Sequence, residues 1–445
     1  MTTTVRPKER DALLQALRAG VAPRSGQHLI QVGRAREIEA LLQDVERIVG
    51  GGAAFRLIIG EYGSGKTFFL NLIRAVALEK KLVAASADLN PDRRLHGGGG
   101  QARSLYAELA QSFSTRTKPD GGALPGIVEK FIFTVTTEAK ARNADVEAVM
   151  RGKLEHLAEM VNGYDFAQVI ATYWRAHLEG NLETRMNAIR WLRGEFTTRT
   201  DARNALGVRT IVDDASVYDQ LKLMSRFVRL AGFSGLLICL DELVNLYKLS
   251  HAQSRNANYE QLLRIVNDTL QGSAEGLGFV LGGTPEFLTD TRRGLYSYSA
   301  LYSRLAENAF ARRAQVSDYN HPVLHLANLS QEEFLVLLGN ILHVYAYGDK
   351  ARYLLPEEAL LEFMSHCRQR IGEAYFRTPR TAITAFVNLL SVLEQNPGVD
   401  WRGLLGKVEV VRDTGGAAER AVEEERSAAA GAASTSDDEF TSFKL

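Results

Sequence analysis

Cysteine is scarce here, with only Cys239 and Cys367 in 445 residues. Cys239 lies inside an apolar run, Cys367 follows His366 in a helical pattern, and neither has metal-ligand spacing. That excludes a disulfide framework and a zinc module and leaves two reduced structural thiols. A surplus of one charge is missing too. Lys+Arg and Asp+Glu each number 53, so the formal net charge is zero. No global attraction to nucleic acid or membrane follows, and any DNA contact needs a local basic face. No stretch approaches the roughly 20 apolar residues that span a bilayer, and "MTTTVRPKERDALLQALRAG" has no apolar core of signal-peptide length. A cytoplasmic protein with no membrane partner is expected. Solenoid-type repeats are also absent.

What is present is a long chain of ordinary hydrophobic content, 45%. Its length exceeds what one core usually serves, so a large domain, a smaller one and an insertion are expected. "RDALLQALRAG" reads as an amphipathic helix ending at Gly20, and a turn at Gly33 precedes a second helix in "REIEALLQDVERIV". Apolar runs at Arg56–Gly60, Lys81–Leu89, Gly235–Glu242, Gly278–Thr284 and Pro322–Leu329 read as strands alternating with helices. That alternation predicts an α/β fold, a parallel sheet covered on both faces. Helical periodicity fills about 124–216, read as an insertion, and Ser330-Gln331-Glu332-Glu333 is a capping box opening a helical C-terminal region. The expected domains are a nucleotide-binding core at 1–329, a helical lid at 330–412 and an acidic, mostly disordered tail at 413–445. Within the tail, "DDEFTSFKL" at 437–445 is a candidate docking peptide.

Gly60-Glu61-Tyr62-Gly63-Ser64-Gly65-Lys66-Thr67 matches the P-loop pattern in full, with a strand before it and a helix beginning near Lys66 after it, and Phe68 is expected to join these residues in binding the nucleotide. The glycines let successive N–H groups turn inward on phosphate oxygens, and the helix adds its dipole. Lys66 is expected on the β- and γ-phosphates of ATP and Thr67 on Mg2+. "LLICLDE" ends an apolar strand in Asp241 and Glu242. Asp241 is expected to hold Mg2+ and Glu242 to polarise the attacking water, which indicates hydrolysis more than transfer to a metabolite.

Five further assignments follow from position along the chain. Thr284, ending the next strand, suits a γ-phosphate sensor, with a simple Thr-Pro turn as the plain alternative. Arg304 in "LYSRLAENAFARR" is placed to complete a neighbour's site, with Arg292, Arg293, Arg312 and Arg313 as rivals. Arg380, opening a helix after Pro379, suits a lid arginine, and Arg377 is the alternative. A cation is disfavoured at that end of a helix dipole, which weakens a purely solubilising role. Gly33-Arg34 is a candidate seat for adenine or ribose. Arg93, Arg94, His96 and Arg103 surround four glycines in a loop that reads equally as a phosphate-backbone tracker and as a mobile linker.

With these pieces in order the chain resembles the AAA+ ATPases, and most the origin-recognition-like branch. More narrowly it resembles the ATP-binding proteins of bacteriophage-exclusion (BREX) loci, the BrxC/BrxD type. The stretches that carry the likeness include "ALRAGVAPRSGQHLIQVGRAREIE", "GEYGSGKTFFL", "DLNPDRRLHGGGGQARSLYAELAQSF", "DELVNLYKL" and "GGTPEFL", and it covers nearly the whole chain. The resemblance implies antiphage defence, ATP hydrolysis with Mg2+ and assembly on DNA or loading of a partner helicase. It also implies a homo-oligomer whose sites a neighbour completes. The alternative is a slow nucleotide-dependent switch that mainly binds a partner protein.

Overall fold

A computed structural model describes residues 5–314, 316 and 318–411, apart from the side chain of Arg312. The acidic tail and its candidate docking peptide lie outside the described residues. Five strands form one all-parallel sheet: β1 Ala54–Ile59, β2 Val83–Asp88, β3 Leu236–Asp241, β4 Leu277–Gly283 and β5 Val323–His325. Their order is β2-β3-β4-β1-β5. The α/β class expected from the alternating apolar runs is therefore found. β1, β3 and β4 are buried along their whole length, so they read as largely apolar runs, with Arg56 of β1 a buried exception. β5 is shorter than its run predicts, because after His325 only Leu326 still donates to β1, at Ile59 O.

The chain divides into two compact units. One comprises Arg34–Gly60 and Lys66–Leu326 and contains the sheet. On one sheet face Leu57, Ile59, Val83 and Ile238 join a core with Phe131, Phe166, Trp191 and Phe227. On the other, Ile58, Leu237, Cys239 and Val280 pack with Leu41, Val45, Phe69 and Ile73. Apolar surface is thus buried on both sides, the main stabilising term for such a sheet.

Between β2 and β3 the stretch read as an insertion folds into the helices Leu124–Arg142, Val146–Ala158, Gly163–Leu178, Leu182–Leu192 and Arg199–Leu206. Helical structure stops earlier than the expected Ser216. Gly207, at φ +72°, closes the last of these helices. The loop beyond is held by the buried carboxylate of Asp165, which accepts from Arg209 N–H (2.9 Å), Thr210 N–H (2.7 Å) and the Thr210 hydroxyl (2.7 Å).

The other unit comprises Met1–Gly33, Glu61–Gly65 and Ala327–Leu445. Its principal helices are Pro7–Arg18, Gln331–Tyr345, Glu357–Ile371 and Arg380–Gln395. The capping box at Ser330 forms with both of its reciprocal hydrogen bonds to Glu333. Buried Arg10 fixes the N-terminal helix by donating to Tyr345 O at 3.0 Å, with its guanidinium 4.1 Å from the Tyr347 ring centre. Among the described residues no helix is long and apolar enough to cross a membrane.

Candidate nucleotide site

The P-loop leaves β1 beside β4, and Gly60 N–H donates to Gly283 O at 3.2 Å. The helix Lys66–Glu79 begins directly after it, so its first-turn N–H groups and dipole end lie at the loop. Lys66 Nζ donates to Gly60 O at 2.9 Å, holding the ammonium at the loop's own base. Phe68 is half-buried on the first helical turn.

Asp241 ends β3 with 6% of its surface exposed. Its Oδ2 accepts from the Thr67 hydroxyl at 2.6 Å, and its Oδ1 accepts from Glu242 N–H at 2.9 Å. The structure thus brings together the two residues assigned to Mg2+. Glu242 has an exposed side chain and a left-handed backbone, φ +58°. For a non-glycine residue that conformation costs roughly 1 kcal/mol or more and clusters at functional sites.

Room for Asp241 comes from the neighbouring strand. A Cβ on Gly282 would collide with Asp241 Oδ1, and one on Gly283 would lie 2.8 Å from the Phe287 ring. Sequence reasoning missed this pair, although two glycines inside an apolar strand signal close approach of another group. It also missed Asp88, exposed at the end of β2 and in register with Asp241.

Thr284 caps the short helix Pro285–Thr289, accepting from Phe287 N–H at 3.4 Å. This local role is the one its Thr-Pro sequence suggested as the plain alternative. Arg304 lies on the helix Ser299–Leu305. Its Nε donates to Asn267 Oδ1 and its Nη1 to Ala300 O at 2.8 Å, so its hydrogen-bond partners here are not P-loop groups. Of the rivals, Arg293 is committed to Tyr247 O (3.2 Å) and Leu249 O (3.3 Å). Arg292 and Arg313 are exposed, and the side chain of Arg312 lies outside the described residues.

In the unit that contains Glu61–Gly65, Ser64 N–H donates to Glu61 O at 3.1 Å, making a tight turn. Gly63 has φ +79°, and a Cβ there would lie 2.9 Å from Thr378. Arg380, two residues on, reaches the Tyr62 hydroxyl at 3.5 Å. Arg377, its rival, pairs instead with Glu373 at 2.7 Å. Gly33 has φ +61°, and a Cβ there would collide with the Glu333 carboxylate. Arg34 follows with φ +59°, immediately before the helix Ala35–Val49. These contacts explain why glycine stands at 33 and 63.

The family profile described as BREX system ATP-binding protein BrxC/D matches residues 5–409. The chain belongs to this family. No curated protein matches it. In this BrxC/D-family chain Gly60–Thr67 fits the P-loop pattern in full. The hard oxygens of Thr67 and Asp241 fit Mg2+. No cluster of three acidic, His or Cys ligands is found among the described residues. Burial pushes the thiols of Cys239 and Cys367 each up to about 12, so neither is a nucleophile for this BrxC/D chain.

Proposed function

We propose that the chain hydrolyses Mg-ATP, with Lys66 on the β- and γ-phosphates, Thr67 and Asp241 on Mg2+, and Glu242 orienting the attacking water. The single observation that carries this reading is the 2.6 Å hydrogen bond between Thr67 and Asp241, with a second acid one residue further on. Mg2+ held there would neutralise charge developing on the β- and γ-phosphates. Glu242 would accept a proton from water, and its strained backbone fixes where its carboxylate starts. Arg380, near Tyr62, is proposed to contact the γ-phosphate, Thr284 to sense it, and Gly33-Arg34 to flank the base. Arg304 is proposed to complete a neighbouring copy's site. Acting on DNA with a partner helicase, in antiphage defence, is the task proposed for the assembly.

The test is ATP turnover by the full chain with Mg2+ or with EDTA, beside Lys66→Ala. Turnover that needs both Mg2+ and Lys66 supports the reading. Turnover indifferent to Lys66 overturns it.

A second reading, the slow switch, has its own support. The hydroxyl of Thr284 and the guanidinium of Arg304 are engaged within their own unit, an arrangement suited to slow hydrolysis until a partner rearranges them. Negligible turnover with ATP-dependent partner binding would favour it.

A further inference from the structure

The loop after β2 carries chemistry that the nucleotide site does not use. The sequence reads equally as a phosphate-backbone tracker and as a mobile linker, and this loop is anchored at both ends. Asn258, fully buried on the helix Ala252–Leu270, accepts from His96 N–H at 2.9 Å and donates to His96 O at 3.2 Å. A side-chain amide thus pairs with the loop backbone as a neighbouring strand would. Asp214 accepts from the N–H groups of Gly100 (2.7 Å) and Arg103 (2.8 Å), pinning the far end.

The crest between these anchors is open. A Cβ on Gly98 meets nothing within 4 Å. The N–H groups of Gly97 and Gly98 make no hydrogen bond among the described residues. Arg93 pairs with Glu108 at 3.2 Å. Arg94 donates from Nε to Pro91 O at 2.6 Å, and its two terminal amino groups make no hydrogen bond among the described residues. Guanidinium groups and unpaired main-chain N–H groups carried on one anchored loop suit phosphate oxygens. Glycine lets a phosphate approach the backbone closely.

The same helix holds the neighbouring loops. Arg255 Nη1 donates to Leu249 O at 2.8 Å, and the Tyr259 hydroxyl donates to Arg293 O at 2.7 Å. The Tyr247 hydroxyl donates to Asp290 at 2.8 Å. Asn245 donates from its side chain to Leu89 O at 2.7 Å and from its backbone to Glu242 O at 3.0 Å. The loops after β2, β3 and β4 therefore share one polar network, and the loop after β3 starts at Asp241 and Glu242. Two buried donors in it, Arg255 Nε and Arg293 Nε, lack partners among the described residues.

We propose that the loop from Arg93 to Gly100 binds the phosphate backbone of DNA, and that Asn258 relays its occupancy to Glu242. DNA on this loop then sets the rate of ATP hydrolysis. This relay rests on the ATPase reading above. Arg93, Arg94 and the glycine N–H groups contact the phosphates, and Asn258 is a positioning residue.

The experiment pairs fluorescence anisotropy on labelled single-stranded and duplex DNA with ATP turnover, with and without that DNA. It uses the full chain, the double variant Arg93→Ala/Arg94→Ala, Gly98→Glu and Asn258→Ala. Gly98→Glu enters open space, so the fold should tolerate it, and its charge should repel phosphate. Both loop variants are expected to bind DNA at least about tenfold more weakly, with basal turnover unchanged. The double variant should also flatten the logarithmic salt dependence by about two. Asn258→Ala is expected to bind DNA and lose its stimulation. Loop variants that bind and respond like wild type overturn the proposal. So does heparin matching DNA in both binding and stimulation, which would leave only polyanion attraction. If the wild type turns over no ATP, the hydrolysis reading and the relay both fail. The effect of Gly98→Glu on DNA binding then still decides whether the loop is the site.

Discussion

The Thr67 hydroxyl donates to Asp241 Oδ2 at 2.6 Å, joining two motifs 174 residues apart in the chain. One residue opens the P-loop helix and the other ends β3. Their meeting places a hydroxyl and a carboxylate where a phosphate-bound Mg2+ is expected to sit.

The space for Asp241 depends on Gly282, where a Cβ would strike the carboxylate. Gly282→Ala is expected to reduce ATP turnover at least tenfold while fluorescent-nucleotide affinity stays within a few-fold. Unchanged turnover would show that Asp241 does not need this position.

Arg304→Ala is expected to bind ATP and hydrolyse it poorly. Mixing it with Lys66→Ala should restore part of the activity if the arginine acts across a subunit boundary. Asn267→Ala serves as the control, because Asn267 holds Arg304 in place. If Arg304 is only structural, both variants lower Tm alike and no mixing ratio rescues turnover.

Arg56 of β1 pairs with Asp44 of the helix Ala35–Val49 at 2.6 Å, each side chain 5% exposed. Arg56→Leu leaves Asp44 buried without its main partner, which costs roughly 3–5 kcal/mol by urea denaturation. Adding Asp44→Leu should recover most of that loss. Burial already raises the Asp44 pKa, with Arg56 pulling it down. Without Arg56 the rise is unopposed. A carboxyl whose folded pKa lies above its unfolded value carries its penalty at higher pH and loses it as pH falls. The single variant's deficit should therefore shrink on acidification. A deficit that stays constant would contradict this.

Both thiols are buried and held up to about 12. The native protein at pH 8 is expected to show no rapidly reacting thiol toward an aromatic disulfide reagent, and two after denaturation. A fast-reacting native thiol would contradict the structural role given to both.

The sheet was legible because buried parallel strands are written as continuous apolar runs, and the P-loop because its backbone geometry demands glycines at fixed spacing. Asp241 and Glu242 were legible for the same reason, as acids ending such a run. What stayed hidden was long-range packing. Nothing near Gly282 announces that its missing Cβ makes room for Asp241, and nothing near Asn258 announces His96 as its partner, 162 residues away. The glycines at 97–100 left linker and phosphate tracker equally open, because local composition does not reveal the side chains that anchor a loop from elsewhere. Thr284 and Arg304 were placed by their order along the chain. Their hydrogen bonds to Phe287 and Asn267 are set by local capping and helix packing, which order alone does not encode.

The most direct test of the account is the fate of ATP bound to Glu242→Gln, followed by rapid quench and chromatography of the nucleotide. Wild type should convert bound ATP to ADP, whereas Glu242→Gln should bind ATP with near wild-type affinity and still hold it as ATP after many wild-type turnover times. Conversion by Glu242→Gln at the wild-type rate would contradict the hydrolytic role given to Glu242.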